Sequence, residues 1–278
     1  MPKKRPKKDT LIYIALVFIF VLSSGMFAMH FINEALMAAR SNRAREIVHE
    51  IMGARPSDFA GARIAVMPEP VQNEFIEMQP PTLFVNPAPF FDIDAIRQAF
   101  GNDDIVAHLY VHGTVIDYLV VQTTDNEFYQ HHDIWRGRSA AGWVFLDYEV
   151  DLRGQDHNIV IYAHNTQREH MFHALRHFRS YGFFRAHPYI TLITPYGMYN
   201  WQVFSFYSTF IDFSYNIINF PGEAARNEMI LAFAAKSMHN SNVNVYPGDR
   251  ILTLSTCTNR HPDERFVLHA RLVSLIEF

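Results

Sequence analysis

The segment Ile251-Leu-Thr-Leu-Ser-Thr-Cys-Thr-Asn259 contains the only cysteine of the 278-residue chain. Its first six residues are rich in β-branched side chains and follow a period-two pattern, which predicts a strand that ends at Cys257. Residues 258–264 are polar and include a proline, so they predict a loop. A second apolar run begins at Arg265 and predicts the returning strand. A rigid element therefore presents the thiol beside a loop.

A second segment, His157-Asn-Ile-Val-Ile-Tyr-Ala-His-Asn165, predicts another buried strand, which ends just before His164. A lone cysteine is most often a small buried hydrophobe, and that interpretation applies to Cys257 taken alone. An imidazole at the end of a second strand favours a reactive thiol instead, because imidazole is the usual proton-transfer partner of a nucleophilic cysteine.

These segments resemble the motifs of a known family. Tyr162-Ala-His-Asn165, Thr253-Leu-Ser-Thr-Cys257 and Arg265 are similar to the His, Cys and Arg motifs of the sortases, bacterial cysteine transpeptidases, and most of all to class B. The resemblance extends upstream through Val111-His-Gly-Thr-Val-Ile-Asp-Tyr118 and covers roughly residues 103–278. Ordered motifs over such a length are far more specific than any single one.

Three positions depart from the family pattern. Ala163 stands where glycine is usual, Leu119 where proline is common, and His108 where tryptophan is frequent. None of the three replaces a reacting group. If the family uses glycine at this position for its conformational freedom, then alanine fits here only with a negative φ at residue 163.

The chemistry of the three motif residues predicts their roles. Cys257, as a thiolate, would attack a peptide carbonyl, and His164, as an imidazolium, would protonate the departing amine. The Arg265 guanidinium would hold the developing oxyanion or orient the substrate backbone. Arg260 and Arg271 are the competing arginines: we expect Arg260 to be solvated in mid-loop, and Arg271 to lie roughly 20 Å further along the strand.

Five further residues are candidates for substrate-binding or supporting roles, each with a structural role as the alternative. Asn259 would orient His164, Ser255 and Thr256 would shape the substrate groove, and Tyr215 would line it. Asn165, directly after the histidine, is the fifth.

The N-terminus predicts a membrane anchor. Residues 11–32 carry no charged side chain and are long enough, at about 1.5 Å per residue, to cross a hydrocarbon core of roughly 30 Å. Five basic residues lie within positions 1–8, so the positive-inside rule keeps residues 1–10 in the cytoplasm and places the rest outside. An exported domain with one cysteine forms no internal disulfide, which favours a reactive thiol or an intermolecular crosslink.

The rest of the chain divides at about residue 92. Residues 33–91 predict an extracytoplasmic stalk: an amphipathic helix over 33–55, then a proline-rich linker with short helical pieces. Residues 92–278 predict one catalytic domain with helices over 167–178 and 222–238 and eight strands. The predicted strands are 105–112, 115–122, 142–147, 158–163, 189–194, 199–207, 250–255 and 266–276. Eight strands are enough to close a small barrel, so the fold class is a mainly β, eight-stranded sortase-like barrel with peripheral helices.

A metal site is the alternative chemistry. His170, His173 and His177 would fall on one face of the predicted helix, as in some zinc sites. Arginines and a glutamate are interleaved with them, no His-Glu-x-x-His motif is present, and the family needs no metal. We therefore expect no metal and no dissociable cofactor.

The resemblance implies cleavage of an Asn-Pro-x-Thr-x sorting signal in an exported protein, and transfer to a peptidoglycan precursor or cross-bridge amine in a Gram-positive-type bacterium. A pilin-type polymerase or an endopeptidase on the same scaffold is an alternative. A catalytically silent, membrane-tethered binding module is another. The net charge of −4 argues against a nucleic-acid partner.

Overall fold

The computed structural model describes residues 8–53, 91–154, 156–166 and 169–278. The chain divides into two compact units, Met1–Arg43 and Ala44–Phe278. Helix α1, Lys8–Met52, spans this division as one element of 45 residues, so the predicted helices over 11–32 and 33–55 are continuous. It is the one helix in the described ranges long and apolar enough to cross a membrane, with a mean hydropathy of 2.4 over its most apolar stretch. The proline-rich linker and the basic residues at positions 3–7 lie outside the described residues.

The last turns of α1 belong to the second unit. Ala44, Val48 and Met52 recur at four-residue spacing and are buried, as expected of the apolar face of a packed helix. On the same turns, His49 Nε2 lies 3.1 Å from a carboxylate oxygen of Asp117. The other oxygen of Asp117 lies 2.6 Å from Nε2 of the buried His108, so each oxygen of this carboxylate is within hydrogen-bond distance of one imidazole.

Eight strands in the described part of the chain form a closed barrel, which confirms the predicted fold class. The strands are β1 Ile105–Val111, β2 Asp117–Val121, β3 Phe145–Leu146, β4 Asn158–Tyr162, β5 Tyr189–Thr194, β6 Gly197–Phe210, β7 Ile251–Cys257 and β8 Glu264–Glu277. Their order around the barrel is β1-β2-β3-β4-β7-β8-β6-β5. The crossover from β6 to β7 places β7 between β4 and β8.

Short helices precede β1 and connect later strands in the described chain. Helix α2, Ile93–Phe100, begins at Asp92, whose side chain accepts a hydrogen bond from the Ala95 amide at 2.9 Å. Helix α3 is Tyr181–Ala186, and helix α4, Glu223–Ala235, fills most of the predicted 222–238 helix.

Two predicted elements differ from the structure. The strand expected over 142–147 is only Phe145–Leu146, because Gly142 forms a turn with a φ of 55°. The helix expected over 167–178 is wrong in its described part: a 3-10 helix over His173–Arg179 replaces it. Met171 has a φ of 53°, a left-handed conformation that no α-helix accommodates.

Candidate active site

The ends of two parallel strands bring Cys257 and His164 together. β4 and β7 pair in parallel with Tyr162 opposite Ser255, so each reactive residue lies two positions beyond a matched pair. Three hydrogen bonds continue the pairing past the strand ends. The Ala163 amide donates to the Ser255 carbonyl (3.3 Å), Thr256 Oγ1 donates to the Ala163 carbonyl (2.7 Å), and Asn165 Nδ2 donates to the Cys257 carbonyl (2.9 Å). The two strand ends are therefore fixed to each other.

Ala163 meets the condition that its substitution for glycine imposes. It is not among the residues of the described chain with positive φ, so its Cβ causes no backbone strain. The departure from the family pattern at this position leaves the geometry next to His164 intact.

Arg265 lies directly across the β7–β8 ladder from Cys257. Its Nη1 donates to the carbonyls of Pro262 (2.5 Å) and Glu264 (3.2 Å). A surface ion pair with Asp263 or Glu264 would neutralise this arginine, but within the described ranges no carboxylate lies within 4 Å of its guanidinium. The positive charge is thus held by backbone carbonyls and is not neutralised.

The two competing arginines are engaged elsewhere. Arg271 pairs with Ile251 in the ladder, at the opposite end of β7 from Cys257, and its Nε lies 3.1 Å from Asp249. Arg260 was expected to be solvated; it is half-exposed, but its Nη2 lies 2.5 Å from Glu264 Oε1. The loop is short enough for this pair to form at i and i+4. Neither arginine is among the residues that line the cavity beside Cys257.

A cavity of about 270 Å³ lies over these groups. Cys257, His164 and Arg265 line it together with Ser255, Thr256 and Tyr215, so six of the eight candidate residues share one site. Asn165 and Asn259 lie next to it instead: Asn259 Nδ2 donates to the Asn165 carbonyl at 2.8 Å. Asn259 therefore supports the chain beside His164 and does not contact the imidazole in this structure.

The group that holds the imidazole is the backbone of Gln130. His164 Nε2 donates to the Gln130 carbonyl at 2.9 Å, which leaves Nδ1 for proton exchange. Gln130 ends a short 3-10 helix, Phe128–Gln130, and its own side chain donates to the Asn126 carbonyl at 2.6 Å. The sequence offered no signal for this contact, because any residue type supplies a carbonyl.

Further lining residues were also missed. They are Asn126, Gln130, Phe145, Tyr162, Ile211 and Asn216. Ile211 is exposed at the end of β6, and Asn216 Nδ2 donates to the Tyr162 hydroxyl at 3.2 Å. They come from strands, a 3-10 helix and loops that only the closed barrel brings together, which local sequence patterns do not specify.

Tyr215 forms a buried wall of the cavity. Its hydroxyl and Ser255 Oγ share a hydrogen bond of 3.0 Å. Burial raises the pKa of Tyr215, so its hydroxyl is neutral at physiological pH. The wall is therefore polar but uncharged.

His173 and His177 lie on the 3-10 helix with their rings 6.0 Å apart, but His170 lies outside that helix, before the left-handed Met171. His173 Nδ1 donates to the Thr166 carbonyl, and His177 Nε2 lies 3.6 Å from a Glu169 carboxylate oxygen. In the part of the chain that the structure describes, no group of three or more His, Cys, Asp or Glu side chains is placed to hold a metal ion.

Residues 109–273 match the model of the sortase domain family. The chain is 34% identical to sortase B of Listeria monocytogenes over 175 residues, which cover 62% of this chain and 71% of that protein. The protein belongs to the class B sortases. It is also 32% identical to sortase B of Staphylococcus aureus over 176 residues, covering 63% of this chain and 72% of that one.

Solved sortase structures share the fold. Sortase B from Clostridium perfringens superposes with a TM-score of 0.61 at 31% identity, covering 64% of this chain and 100% of that one. A sortase B–substrate complex from Staphylococcus aureus superposes with a TM-score of 0.60 at 31% identity, covering 66% and 85%. Membership of this sortase class supports a cysteine transpeptidase activity.

Proposed function

We propose that the protein is a membrane-anchored transpeptidase that cleaves a C-terminal sorting signal of the Asn-Pro-x-Thr-x type and joins the new carboxyl end to a cell-wall amine. The observation that supports this most is the meeting of Cys257, His164 and Arg265 at one cavity, from three separate chain segments. The solved sortase B–substrate complex supports a substrate-binding role for a cavity of this fold.

In the first half of the reaction the Cys257 thiolate attacks the carbonyl carbon of the threonine in the signal. The electron pair of the carbonyl moves to oxygen, and the uncompensated guanidinium of Arg265 stabilises that oxyanion. When the tetrahedral species collapses, the C–N bond breaks and protonated His164 gives its proton to the leaving amine. The product is a thioester between Cys257 and the threonine.

In the second half an acceptor amine replaces the sulfur. His164 accepts the proton that the amine loses as its nitrogen attacks the thioester carbon, and the C–S bond breaks to return the thiolate. A free thiol has a pKa near 8.5 and a free imidazole near 6.5, so only a minority of such pairs is ready to react at neutral pH. The wall of neutral polar groups, including Tyr215, adds no negative charge that would oppose the thiolate.

Anchoring through α1 fits this reaction physically. The exported substrate, the lipid-linked acceptor and the enzyme would all lie at one membrane surface, which raises their effective concentration. The basic residues at positions 3–8 favour an N-terminus in the cytoplasm and a barrel outside, by the positive-inside rule.

The direct test is mass spectrometry of the purified protein with a sorting-signal peptide library, with and without an added amine. The expected result is a peptide adduct on Cys257 that disappears when an amine is supplied, with an amide product. Free acid alone, in the presence of the amine, would assign the protein as an endopeptidase. A lysine amide formed in preference to a cell-wall amine would assign a pilin-type polymerase.

Cys257→Ala and His164→Ala are the controls, and both should abolish adduct formation. A protein whose Cys257 forms no adduct, and whose alkylation rate equals that of free cysteine and does not depend on His164, would be a silent binding module.

A further inference from the structure

A continuous series of buried hydrogen bonds runs across four adjacent strands of the barrel, on the face that packs against α4. Tyr207 on β6, His269 on β8, Thr253 on β7 and Asn158 on β4 follow one another at hydrogen-bond distance. The distances are 2.7 Å from the Tyr207 hydroxyl to His269 Nε2, 2.9 Å from His269 Nδ1 to Thr253 Oγ1, and 2.6 Å from Thr253 Oγ1 to Asn158 Oδ1. All four side chains are buried, so each bond is shielded from water.

The donor and the acceptor of every hydrogen bond in this series can be assigned by starting from Asn158. The Asn158 amide nitrogen faces the carbonyls of Tyr215 and Ile217 at 3.1 and 3.0 Å, and a carbonyl can only accept. The amide oxygen of Asn158 therefore accepts from Thr253. Thr253 has then used its only proton, so it must accept from the N–H of His269 at Nδ1.

The remaining ring nitrogen, Nε2, accepts from the Tyr207 hydroxyl. Burial lowers the pKa of His269 to about 3, which is consistent with the neutral ring that this pattern demands. The ring also stacks on Phe233 of α4, with 4.0 Å between centroids and 8° between planes. One arrangement of protons satisfies all four residues, and the Asn158 amide is held in one orientation.

At its Asn158 end, the series of hydrogen bonds reaches the loop that lines one side of the substrate cavity. This loop, residues 211–222 between β6 and α4, is called the wall loop here. It receives both amide protons of Asn158, and the Ile218 carbonyl accepts the Asn158 backbone N–H at 3.1 Å. Tyr215 and Asn216 of the wall loop line the cavity next to Cys257.

We infer that Asn158 is a positioning residue: its side-chain amide fixes the wall loop against β4, and Thr253, His269 and Tyr207 fix the amide. The role in catalysis rests on the proposed function, because it is the bound peptide that needs Tyr215 and Asn216 in place. Asn158 lies at the start of β4 and His164 lies past its end, so the same strand positions the imidazole and, through Asn158, the wall loop.

Asn158→Asp tests the inference, because it keeps the shape but turns an oxygen toward two carbonyl oxygens. The amides of Ile211, Phe213 and Tyr215 donate to backbone carbonyls and report wall-loop order by hydrogen exchange. We expect exchange in 211–222 to accelerate about tenfold and the KM for the sorting-signal peptide to rise by a similar factor. Alkylation of Cys257 by a small electrophile should change less than about twofold, since that reagent needs no wall.

Asn200→Asp is the matched control. Asn200 is another buried asparagine of the barrel, but its Nδ2 donates to Ser274 Oγ at 3.0 Å and its Oδ1 accepts from Thr191 Oγ1 at 2.8 Å, with no link to the wall loop. It should lower stability without accelerating exchange in 211–222. Equal acceleration in both variants, or none in Asn158→Asp, would overturn the inference.

Thr253 gives a second pair of variants in case Asn158→Asp does not fold. Thr253→Val removes the hydroxyl that orients the amide and should accelerate wall-loop exchange, whereas Thr253→Ser should restore it; wild-type exchange in the valine variant would count against the inference. Hydrogen exchange does not require turnover. A wild-type protein that fails to process any peptide would contradict the proposed function while the exchange difference still decides the role of Asn158.

Discussion

Gly142→Ala is expected to disturb His164 without touching it. Gly142 has a φ of 55°, and a Cβ built on it would lie 2.4 Å from the Tyr129 carbonyl oxygen and 2.8 Å from that of Gln130. The second of these oxygens is the acceptor for His164 Nε2 at 2.9 Å. Because the clash is with backbone, it is relieved only by moving the segment that holds the imidazole.

The expected magnitude has two parts. A left-handed backbone costs a non-glycine residue roughly 1–2 kcal/mol. Overpacking against atoms that cannot rotate away adds about 1–3 kcal/mol. Gly101 separates the two: its φ is 60°, but a Cβ added to it would meet nothing within 4 Å. Gly101→Ala should therefore lose only the first part, and Gly142→Ala should lose about 2–5 kcal/mol in all.

The assays are urea unfolding for stability and kcat/KM for peptide cleavage, with both alanine variants measured under conditions where each is folded. A displacement near 1 Å of a reacting group costs on the order of 10²-fold in rate, so we expect a loss of about 10- to 100-fold in Gly142→Ala and none in Gly101→Ala. Two variants with equal stability and wild-type rates would show that the Gln130 carbonyl neither resists displacement nor positions the imidazole.

Three further predictions concern individual side chains. Arg265→Lys keeps a charge but loses the fork of donors, and should lower kcat/KM about 10²-fold, whereas Arg271→Lys should leave it within about twofold; equal effects would remove the oxyanion role. His164→Asn should abolish turnover and slow alkylation of Cys257 at neutral pH, so an unchanged alkylation rate would argue against the pair. Although burial opposes it, hydrogen bonding to two histidines lowers the pKa of Asp117, so its carboxylate stabilises the fold above the ordinary pKa of about 4 and less as pH falls. Asp117→Asn should cost roughly 3 kcal/mol at pH 7 and progressively less below pH 4 in urea unfolding; a gap that persists in acid would contradict this.

The barrel and the positions of Cys257, His164 and Arg265 were predictable because they depend on strand ends. The period-two pattern before Cys257 located the end of β7, and antiparallel return after a short loop brings Arg265 back beside Cys257. The same reasoning separated Arg265 from Arg271 by distance along one strand. The ladder register, with Cys257 opposite Arg265 and Ile251 opposite Arg271, bears out that separation.

The misses share a physical cause, which is that backbone groups and tertiary contacts leave no local pattern. The Gln130 carbonyl is invisible in a sequence. The helix expected after His164 failed because Met171 adopts a left-handed conformation that its residue type does not favour, held where its amide donates to the Tyr118 hydroxyl at 2.9 Å. Asn259 was assigned to the imidazole on proximity in sequence to Cys257, whereas its φ of 62° turns its amide toward the neighbouring backbone.

One face of the β7–β8 ladder joins the buried hydrogen-bond chain to the reactive groups. Thr253 and Cys257 are four residues apart and so point the same way, and their partners His269 and Arg265 do likewise. A slip of one residue between the strands would turn the thiol and the guanidinium to opposite faces and would also leave the Thr253 hydroxyl and the His269 ring buried without each other. The energy that opposes the slip therefore comes from the core. The hydrogen bond between Thr253 and His269 forms only in the register that places Cys257 opposite Arg265. The contact that stabilises the core therefore also fixes the geometry of the site.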